Sequence, residues 1–433
     1  MPLTELEHTS EIAFGAYGGA ELFFADIDGD GQLEILAYQG PGVFGTRIFH
    51  GLPAVAAHYP TSTCLSAFKK DGRRLWTFGT PNDLGTPYIS HAHESCVATG
   101  DVDGDGTVEI ALADGDRVLL IDGPTGELRR TAMLPEDNFF IVQILGSPTA
   151  PNEAAVVVKN GETGYGTWSY GEPVLGLNAR MEPAWPGQAI PGGGHHILVL
   201  DTDQDGRPEY LTGYCMVKPS GEWTCIVDAV APASVNAGTD HVDYTDVLHT
   251  EAGGFVLGIA GSSRAYLVND EGKTLFHAPD KHVQGSALGR FRNDSDYQLA
   301  IYNDDGPMVL YEPDGNELWR VSTSDRESWP LGMPEAAQGH RFHRNRPIMT
   351  LPTEPNHILF TDGGWPWAMD GDAGLAVTFV PPAASRQPEM EIHPQARADD
   401  MGYGFATKIV DWNGDGNPEA VIYDRRYLWS FPL

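Results

Sequence analysis

The sequence has few cysteines, few basic residues and no long apolar runs, and each shortage excludes a class of protein. Four cysteines in 433 residues do not define a disulfide scaffold. No apolar run reaches the roughly 18 residues that a membrane-spanning helix needs. The start, MPLTELEHTS, lacks the basic and apolar regions of a secretory signal. We expect no membrane partner; an extracellular location is favoured over a cytoplasmic one, since a mature secreted chain would look the same.

The charge balance excludes a second class of partner. The chain has 27 Lys and Arg against 60 Asp and Glu, a net charge of -33, and such a surface repels nucleic acid. No G-x-S-x-G nucleophile signature, Gly-rich phosphate loop or H-E-x-x-H zinc helix appears. With 51 Gly and 32 Pro, and without a long amphipathic pattern, the chain is too turn-rich for a helical protein.

The four cysteines leave two alternatives open. Cys215 and Cys225 flank a predicted hairpin turn, KPSGEW, and could form a disulfide across it, whereas Cys64 and Cys96 fall in different repeats. Two free buried thiols are the equal alternative.

One acidic loop occurs four times, as ADIDGDGQLE, GDVDGDGTVE, LDTDQDGRPE and VDWNGDGNPE. Carboxylates at positions 1, 3 and 5, with a Gly at position 6 for a sharp turn, supply the oxygens that Ca²⁺ requires. The closing Glu stands at position 9 between β-prone segments, which predicts strand-loop-strand calcium sites rather than EF-hands. The predicted ligands are Asp26, Asp28, Asp30, Glu34, Asp101, Asp103, Asp105, Glu109, Asp201, Asp203, Asp205, Glu209, Asp411, Asn413, Asp415 and Glu419.

The acidic loops belong to longer repeats, each of four predicted strands, that start near residues 22, 97, 139, 196, 242, 283, 347 and 405. Repeats of this length predict a single all-β domain over residues 1–433, a monomeric β-propeller of eight blades. Seven blades are the alternative, because the repeat around residues 335–380 is poorly marked. The last repeat shows three strands, and a strand within 11–17 is predicted to complete it and close the ring.

One repeat carries a degenerate loop, GRFRNDSDYQL. Arg290 and Arg292 stand where the second loop has aspartates, and Gln298 replaces the closing Glu. We interpret this repeat as one in which guanidinium groups replace the metal, with Asp294 or Asp296 as counter-ion.

Histidines recur just before the predicted first strands, which in a propeller line the central channel. Eight of the 15 histidines share this position, so we expect them at one mouth of the channel. Imidazole titrates near neutrality and serves as base, acid or cationic anchor. These histidines are His91, His93, His195, His196, His241, His282, His340 and His343.

The segments KKDGRRLWTFG, ISHAHESCVATGDVDGDGTVEI and GGGHHILVLDTDQDGRPEYLTGY resemble the family 11 rhamnogalacturonan lyases. In this resemblance His93 and His195 fall on motif histidines, Lys159 falls on a family arginine, and Tyr165 is a displaced substitute for a family tyrosine. The resemblance implies an eight-bladed, Ca²⁺-dependent propeller that cleaves uronate-containing pectic chains by β-elimination. Shorter propeller lyases that remove rhamnose from glucuronate in gum arabic and arabinogalactan are similar in architecture.

β-Elimination at a uronate requires a neutralised carboxylate, a base for the C5 proton and an acid for the leaving oxygen. Lys159, Arg180 or a bound Ca²⁺ is predicted to neutralise the carboxylate. His93 or His195 is the predicted base, with Tyr165 or the other histidine as proton donor. The predicted substrate is an anionic plant polysaccharide with rhamnose on a uronic acid. Substrate-binding roles are predicted for His91, His196, His241, His282 and His340.

Two further expectations complete this interpretation. Trp168, Tyr170, Trp365 and Trp367 could stack on sugar rings, although propeller tryptophans usually lie in blade cores. The alternative function is a noncatalytic, calcium-stabilised adhesion propeller of the integrin-like repeat type, which would need no ring of histidines.

Overall fold

The structure is a computed structural model. It describes residues 3–18, 21–40, 63–81, 96–137, 139–160, 168, 171–195, 197–202, 206–227, 240–250, 253–280, 282–303, 307–322, 348–360, 365–383, 405–424 and 426–433. Over these residues the chain forms β-strands and one short 3-10 turn, Gly15–Tyr17. In the described part of the chain no helix is long and apolar enough to cross a membrane.

The chain divides into two compact units, one of Met1–Gly15 with Asp243–Leu433 and one of Ala16–Val242. The first unit has four sheets, and its strands, numbered in chain order, are β1 (Thr4–Leu6), β2 (Ser10–Ala13), β19 (Val242–His249), β20 (Phe255–Gly261), β21 (Ala265–Asn269), β22 (Thr274–Ala278), β23 (Val283–Gly289), β24 (Gln298–Asn303), β25 (Pro307–Tyr311), β26 (Glu317–Ser322), β27 (Ile348–Leu351), β28 (His357–Phe360), β29 (Trp367–Met369), β30 (Leu375–Phe379), β31 (Ala406–Val410), β32 (Glu419–Tyr423) and β33 (Tyr427–Pro432).

The second unit also has four sheets, each a simple antiparallel meander. Its strands are β3 (Glu21–Ala25), β4 (Glu34–Gln39), β5 (Cys64–Phe68), β6 (Arg74–Gly79), β7 (Val97–Gly100), β8 (Glu109–Ala113), β9 (Arg117–Asp122), β10 (Leu128–Met133), β11 (Phe139–Ile144), β12 (Val156–Asn160), β13 (Val174–Leu177), β14 (Pro183–Gln188), β15 (Ile197–Leu200), β16 (Glu209–Thr212), β17 (Cys215–Val217) and β18 (Trp223–Cys225).

The second strand of every meander is buried along its whole length. A strand covered on both faces reads as a continuous apolar run, which is why segments such as EIALA and EAVIY lack alternation. The fourth strands β10 and β22 alternate between exposed and covered residues. In these two sheets a fully covered second strand is thus combined with a partly exposed fourth strand.

The apolar core of each unit lies between successive sheets. In the second unit one cluster joins Leu36 and Leu65 of the first sheet to Ile110 and Leu119 of the next. Outer-strand tryptophans tie successive sheets together by donating to the turn between the third and fourth strands of the next sheet. The three ties are Trp76 to Gly123 O at 2.8 Å, Trp185 to Pro219 O at 3.0 Å and Trp319 to Gly371 O at 2.9 Å.

Eight meanders in chain order define an all-β, eight-bladed β-propeller fold, as predicted. Each predicted repeat start falls within about one residue of an observed first strand, and the poorly marked repeat is a complete sheet, β27 to β30, so the seven-bladed alternative is wrong. The predicted terminal sheet is confirmed, because β2 pairs antiparallel with β33. The single-domain organisation stays a prediction.

One strand pairing was not predicted. β1 adds to the outer edge of the seventh sheet and runs parallel to β30, with Leu6 opposite Phe379. The segment TEL is too short to show the alternation of apolar and polar residues that predicts a strand. Its pairing depends on the free edge of β30, which only the folded sheet provides.

The cysteines are free thiols in this structure. Cys215 and Cys225 face each other across β17 and β18. The hydrogen bonds from Ile226 N to Tyr214 O and from Lys218 N to Glu222 O lie on either side, so the two cysteines form a non-hydrogen-bonded pair. Such pairs have Cα atoms about 4.5 Å apart, within the range of about 4.4–6.8 Å that a disulfide spans.

We expect a small disulfide such as oxidised glutathione to convert Cys215 and Cys225 into an intramolecular disulfide. A hydrogen bond from Cys215 lowers the pKa of Cys225, which is partly exposed, whereas burial raises the pKa of Cys96 to about 12. Peptide mapping after oxidation should link the two cysteines and leave Cys64 and Cys96 alkylatable only after unfolding. Cys225→Ser is the control that should prevent the link; equal reaction of Cys96 in the folded protein would contradict the prediction.

Candidate functional site

The acidic loops share one arrangement of hydrogen bonds. In the first loop Asp26 Oδ1 accepts from Gly29 N at 2.8 Å, and its Oδ2 accepts from Gly31 N at 2.9 Å. Gly29 and Gly31 have φ of 76° and 82°, a conformation that side chains rarely adopt. The buried Glu34 reaches back, and its Oε2 accepts from Ile27 N at 2.9 Å. The loop is thereby folded around its own carboxylates.

The closing Glu makes the same contact in the other three loops. Its Oε2 accepts the N–H of the residue at position 2, from Val102 to Glu109 at 2.9 Å, Thr202 to Glu209 at 3.0 Å and Trp412 to Glu419 at 2.6 Å. The other carboxylate oxygen, Oε1, accepts from Lys69 in the first loop, from Arg129 in the second and from Asn413 in the fourth.

The donor sets of the first two loops suit a hard cation. Asp26, Asp28 and Glu34 offer carboxylate oxygens within 4.8 Å of one another, and so do Asp101, Asp103 and Glu109. Carboxylate oxygen is the ligand type that Ca²⁺ prefers. In the fourth loop Asp411, Asn413, Asp415 and Glu419 keep the same fold, with Asp411 accepting from Gly414 N and Gly416 N. Asp203 and Asp205 lie outside the described residues.

Basic side chains approach the first two loops, which the sequence analysis missed. Lys69 Nζ lies 2.8 Å from Asp28, Asp30 and Glu34. Arg129 donates to Glu109 Oε1 and to Asp122, and its Nη1 lies 3.7 Å from Asp105. A hydrogen bond from Lys69 lowers the pKa of Asp30 below its ordinary value. Both cations are remote in sequence from the loops they meet.

The degenerate loop confirms the predicted pairing of Arg292 with Asp294. Arg292 Nη2 lies 2.8 Å from Asp294, and Nη1 lies 3.2 Å from Asp372. Gln298 Oε1 accepts from Phe291 N at 2.9 Å, the contact that the closing Glu makes elsewhere. This loop keeps the closing contact of the acidic loops, although Arg290, Arg292 and Gln298 replace the carboxylates at positions 1, 3 and 9.

Two of the predicted histidines lie side by side. His195 and His241 have ring centroids 5.2 Å apart with the planes at 87°. His195 is 5% exposed, while His241 is half-buried. The backbone fixes the pair, since His195 N donates to Val242 O and Val242 N donates to Gly192 O, each at 3.0 Å.

The run Gly192–Gly194 lets the backbone before His195 pack this closely. Gly194 has φ 53°, and a Cβ there would lie 1.9 Å from Val242 O; a Cβ at Gly192 would lie 2.4 Å from the ring of Tyr214. A larger residue at Gly194 would displace the backbone of Val242, the neighbour of His241. These glycines are site residues that the sequence analysis treated only as part of a motif.

Lys159 lies directly beneath this loop. It sits on β12, is 0% exposed, and donates to Gly193 O and, at 3.1 Å, to Thr212 Oγ1. A buried ammonium is tolerated only when hydrogen-bonded. Lys159 therefore meets the backbone two residues before His195, and Thr212 is a second residue that sequence reasoning missed.

The structure does not bring Arg180 to the histidine pair. Its side chain is 76% exposed in the turn between β13 and β14, paired with Glu182 at 3.1 Å. His282, in the other unit, is exposed and has φ 56°. Trp365 and Trp367 are buried in the apolar core, which fits the core alternative rather than sugar stacking. The predicted residues outside the described ranges are His91, His93, Tyr165, Tyr170, His196, His340 and His343.

The histidine pair and the acidic loop of the same blade lie at opposite ends of strand β15. His195 precedes Ile197, and Asp201 follows Leu200, so the four-residue strand separates them by about 13 Å. An ion held by this loop is therefore placed to hold the β15–β16 turn rather than to touch a molecule bound at His195.

These features define a class, a β-propeller with acidic loops that could hold a cation between first and second strands and, in the described residues, a histidine pair at the opposite end of β15. No family model matches the chain. A segment of 100 residues is 29% identical to rhamnogalacturonan endolyase YesW of Bacillus subtilis (strain 168); it covers 23% of this chain and 14% of that relative.

Solved structures of the same group share the fold. The exotype rhamnogalacturonan lyase YesX superposes with a TM-score of 0.61 at 17% identity over 97% of this chain and 72% of that one. Bacillus licheniformis rhamnogalacturonan lyase PL11 gives 0.56 at 14% identity, over 98% of this chain and 72% of that one. The chain is thus similar to family 11 rhamnogalacturonan lyases, in a short segment by sequence and along its length by fold.

We expect Glu419→Gln to weaken Ca²⁺ binding by roughly tenfold, about 1.4 kcal/mol, without unfolding the loop. Gln298 shows that a glutamine in this position still accepts the backbone N–H, so the variant keeps the backbone contact of the loop while it removes the negative charge and the acceptor for Asn413. Calorimetric titration of the chelator-treated protein measures the affinity, and Ca²⁺ should raise the melting temperature less than in the parent. Glu182→Gln, in an exposed turn, is the charge-matched control; identical titrations for all three proteins would contradict the prediction.

Proposed function

We propose that this protein is a polysaccharide lyase that cleaves a rhamnose–uronic acid linkage by β-elimination. The observation that carries the proposal is the buried His195 beside His241, fixed by two backbone hydrogen bonds at the start of a first strand. The similarity in sequence and fold to proteins named as rhamnogalacturonan lyases supports it.

The geometry suits proton transfer. A neutral imidazole nitrogen accepts a proton, and a histidine so placed typically contributes about 10²–10⁴-fold to a rate. We assign His195 the role of base for the C5 proton, with His241 orienting substrate beside it. His93 as alternative base and Tyr165 as proton donor stay predictions from the sequence.

Lys159 supports the reaction through the backbone. Neutralising a substrate carboxylate, as predicted from the sequence, would require its ammonium to leave Gly193 O and Thr212. The contacts instead support a positioning role, in which Lys159 fixes the loop that carries His195. We then assign neutralisation of the carboxylate to the cationic surroundings predicted for this mouth, with His91, His196, His282 and His340 as further substrate contacts.

We assign Ca²⁺ the role of a structural cofactor. When bound, Ca²⁺ would neutralise the carboxylates of the loop that holds it and stabilise that turn between the first and second strands. We infer that the protein acts outside the cell as a monomer on plant rhamnogalacturonan, or on the rhamnose-glucuronate ends of gum arabic and arabinogalactan.

The direct test is product formation on two polymers. With Ca²⁺ present, pectic rhamnogalacturonan or gum arabic should yield the ultraviolet absorbance of an unsaturated uronate, because β-elimination leaves a C4–C5 double bond. Product analysis on both identifies the linkage. Silence on every rhamnose-uronate polymer, together with tight binding of a protein ligand, would favour the adhesion-type alternative.

Replacing His195 or His241 with alanine should lower kcat/KM by at least about 100-fold if the pair performs proton transfer. The melting temperature should change little by comparison, since the backbone of Val242 and Gly192 is kept. His277→Ala, an exposed histidine on the outer strand β22, is the matched control and should retain full activity. Full activity in both site variants would rule out the assignment.

A further inference from the structure

The first acidic loop differs from the fourth in what faces its carboxylates. Lys69 Nζ lies 2.8 Å from one oxygen each of Asp28, Asp30 and Glu34. The Glu34 oxygen involved is Oε1, the one not used by the backbone N–H of Ile27. The ammonium therefore contacts Asp28 and Glu34, two of the three residues whose oxygens could hold a metal ion in this loop.

Lys69 is held in this position by its own turn. It opens the hairpin between β5 and β6, where Lys69 N donates to Arg73 O and Gly72 N donates to Lys69 O, both at 2.9 Å. Its side chain is 16% exposed. The approach to the acidic loop is thus a property of the hairpin and not of a freely moving surface lysine.

The fourth loop has no comparable cation. Glu419 Oε1 accepts instead from the side-chain amide of Asn413, which also donates to Asp415 at 3.1 Å. In the described part of the chain no Lys or Arg side chain lies within ion-pair distance of Asp411, Asp415 or Glu419. An amide carries no net charge, so the fourth loop keeps its full negative charge for an ion.

An ammonium and a divalent ion cannot share one position. Ca²⁺ requires six to eight oxygens at about 2.3–2.6 Å, and an ammonium already bonded to three of the same oxygens excludes that shell. Two cations of total charge three at one point would also repel strongly in a partly buried site.

We propose that Lys69 is the resident cation of the first acidic loop, so that this loop is closed by the protein itself and takes a divalent ion only when the lysine is removed. The proposal concerns cation binding and stability, and it stands independently of the lyase function.

Lys69→Met tests it, with Lys70→Met, the next residue of the same turn, as control. Native mass spectrometry and calorimetric titration with Ca²⁺ count the bound ions and their affinities. Lys69→Met should bind one more Ca²⁺ than the parent, or tighten one site by at least tenfold, while Lys70→Met matches the parent.

Melting supplies a second measure. In chelator, Lys69→Met should melt below the parent because Asp28, Asp30 and Glu34 have lost their counter-ion, and added Ca²⁺ should raise its melting temperature by more than that of the parent. Equal ion counts and equal Ca²⁺-induced shifts in both proteins would overturn the proposal.

If Lys69→Met fails to fold, Asp28→Asn in the otherwise unchanged protein tests the same proposal. With Lys69 as the resident cation, Asp28→Asn should leave the number of bound Ca²⁺ ions unchanged. Loss of one ion would show that the loop holds metal beside Lys69, which is the opposite of the proposal.

Discussion

The structure depends on one contact that recurs in five blades. A buried carboxylate or amide at the start of the second strand accepts the backbone N–H at the second position of the loop before it, with Glu34, Glu109, Glu209, Glu419 or Gln298 as acceptor. This bond fixes the turn between the first two strands. Because this bond needs only one side-chain oxygen, the second oxygen of a closing glutamate can accept from another group, which is Lys69 in the first loop, Arg129 in the second and the amide of Asn413 in the fourth.

Two further contacts fix the blades relative to their neighbours in the chain. Second strands are covered on both faces, so their register is fixed by packing, and outer tryptophans donate to the neighbouring turn. The acidic turns at one end of the first strands are fixed by the closing glutamates. At the opposite end of β15, the tight Gly192–Gly194 run and the buried Lys159 hold His195 against His241. In the fourth blade the acidic turn and the histidine pair thus lie at opposite ends of strand β15.

Much of this could be predicted from the chain. The acidic loops, the repeat starts and the closing strand before Phe14 follow from local patterns, which is why they match the observed strands. The contacts within the candidate site around His195 were harder to predict from the sequence. His195 and His241 were predicted as members of a set, yet no pattern says which members touch. Lys159 was assigned to substrate, and its burial beneath Gly193 follows from strand pairing that composition does not reveal.

The sequence by itself determined the β-strand repeats and the acidic turns between first and second strands, because turn chemistry and apolar runs act between near neighbours. Only the tertiary structure decided which cation meets each loop and which groups converge on His195. Lys69 lies 35 residues from Glu34, and Lys159 lies 34 residues from Gly193. Contacts over such separations are set by the stacking and register of whole sheets, a property of the packed chain rather than of any segment.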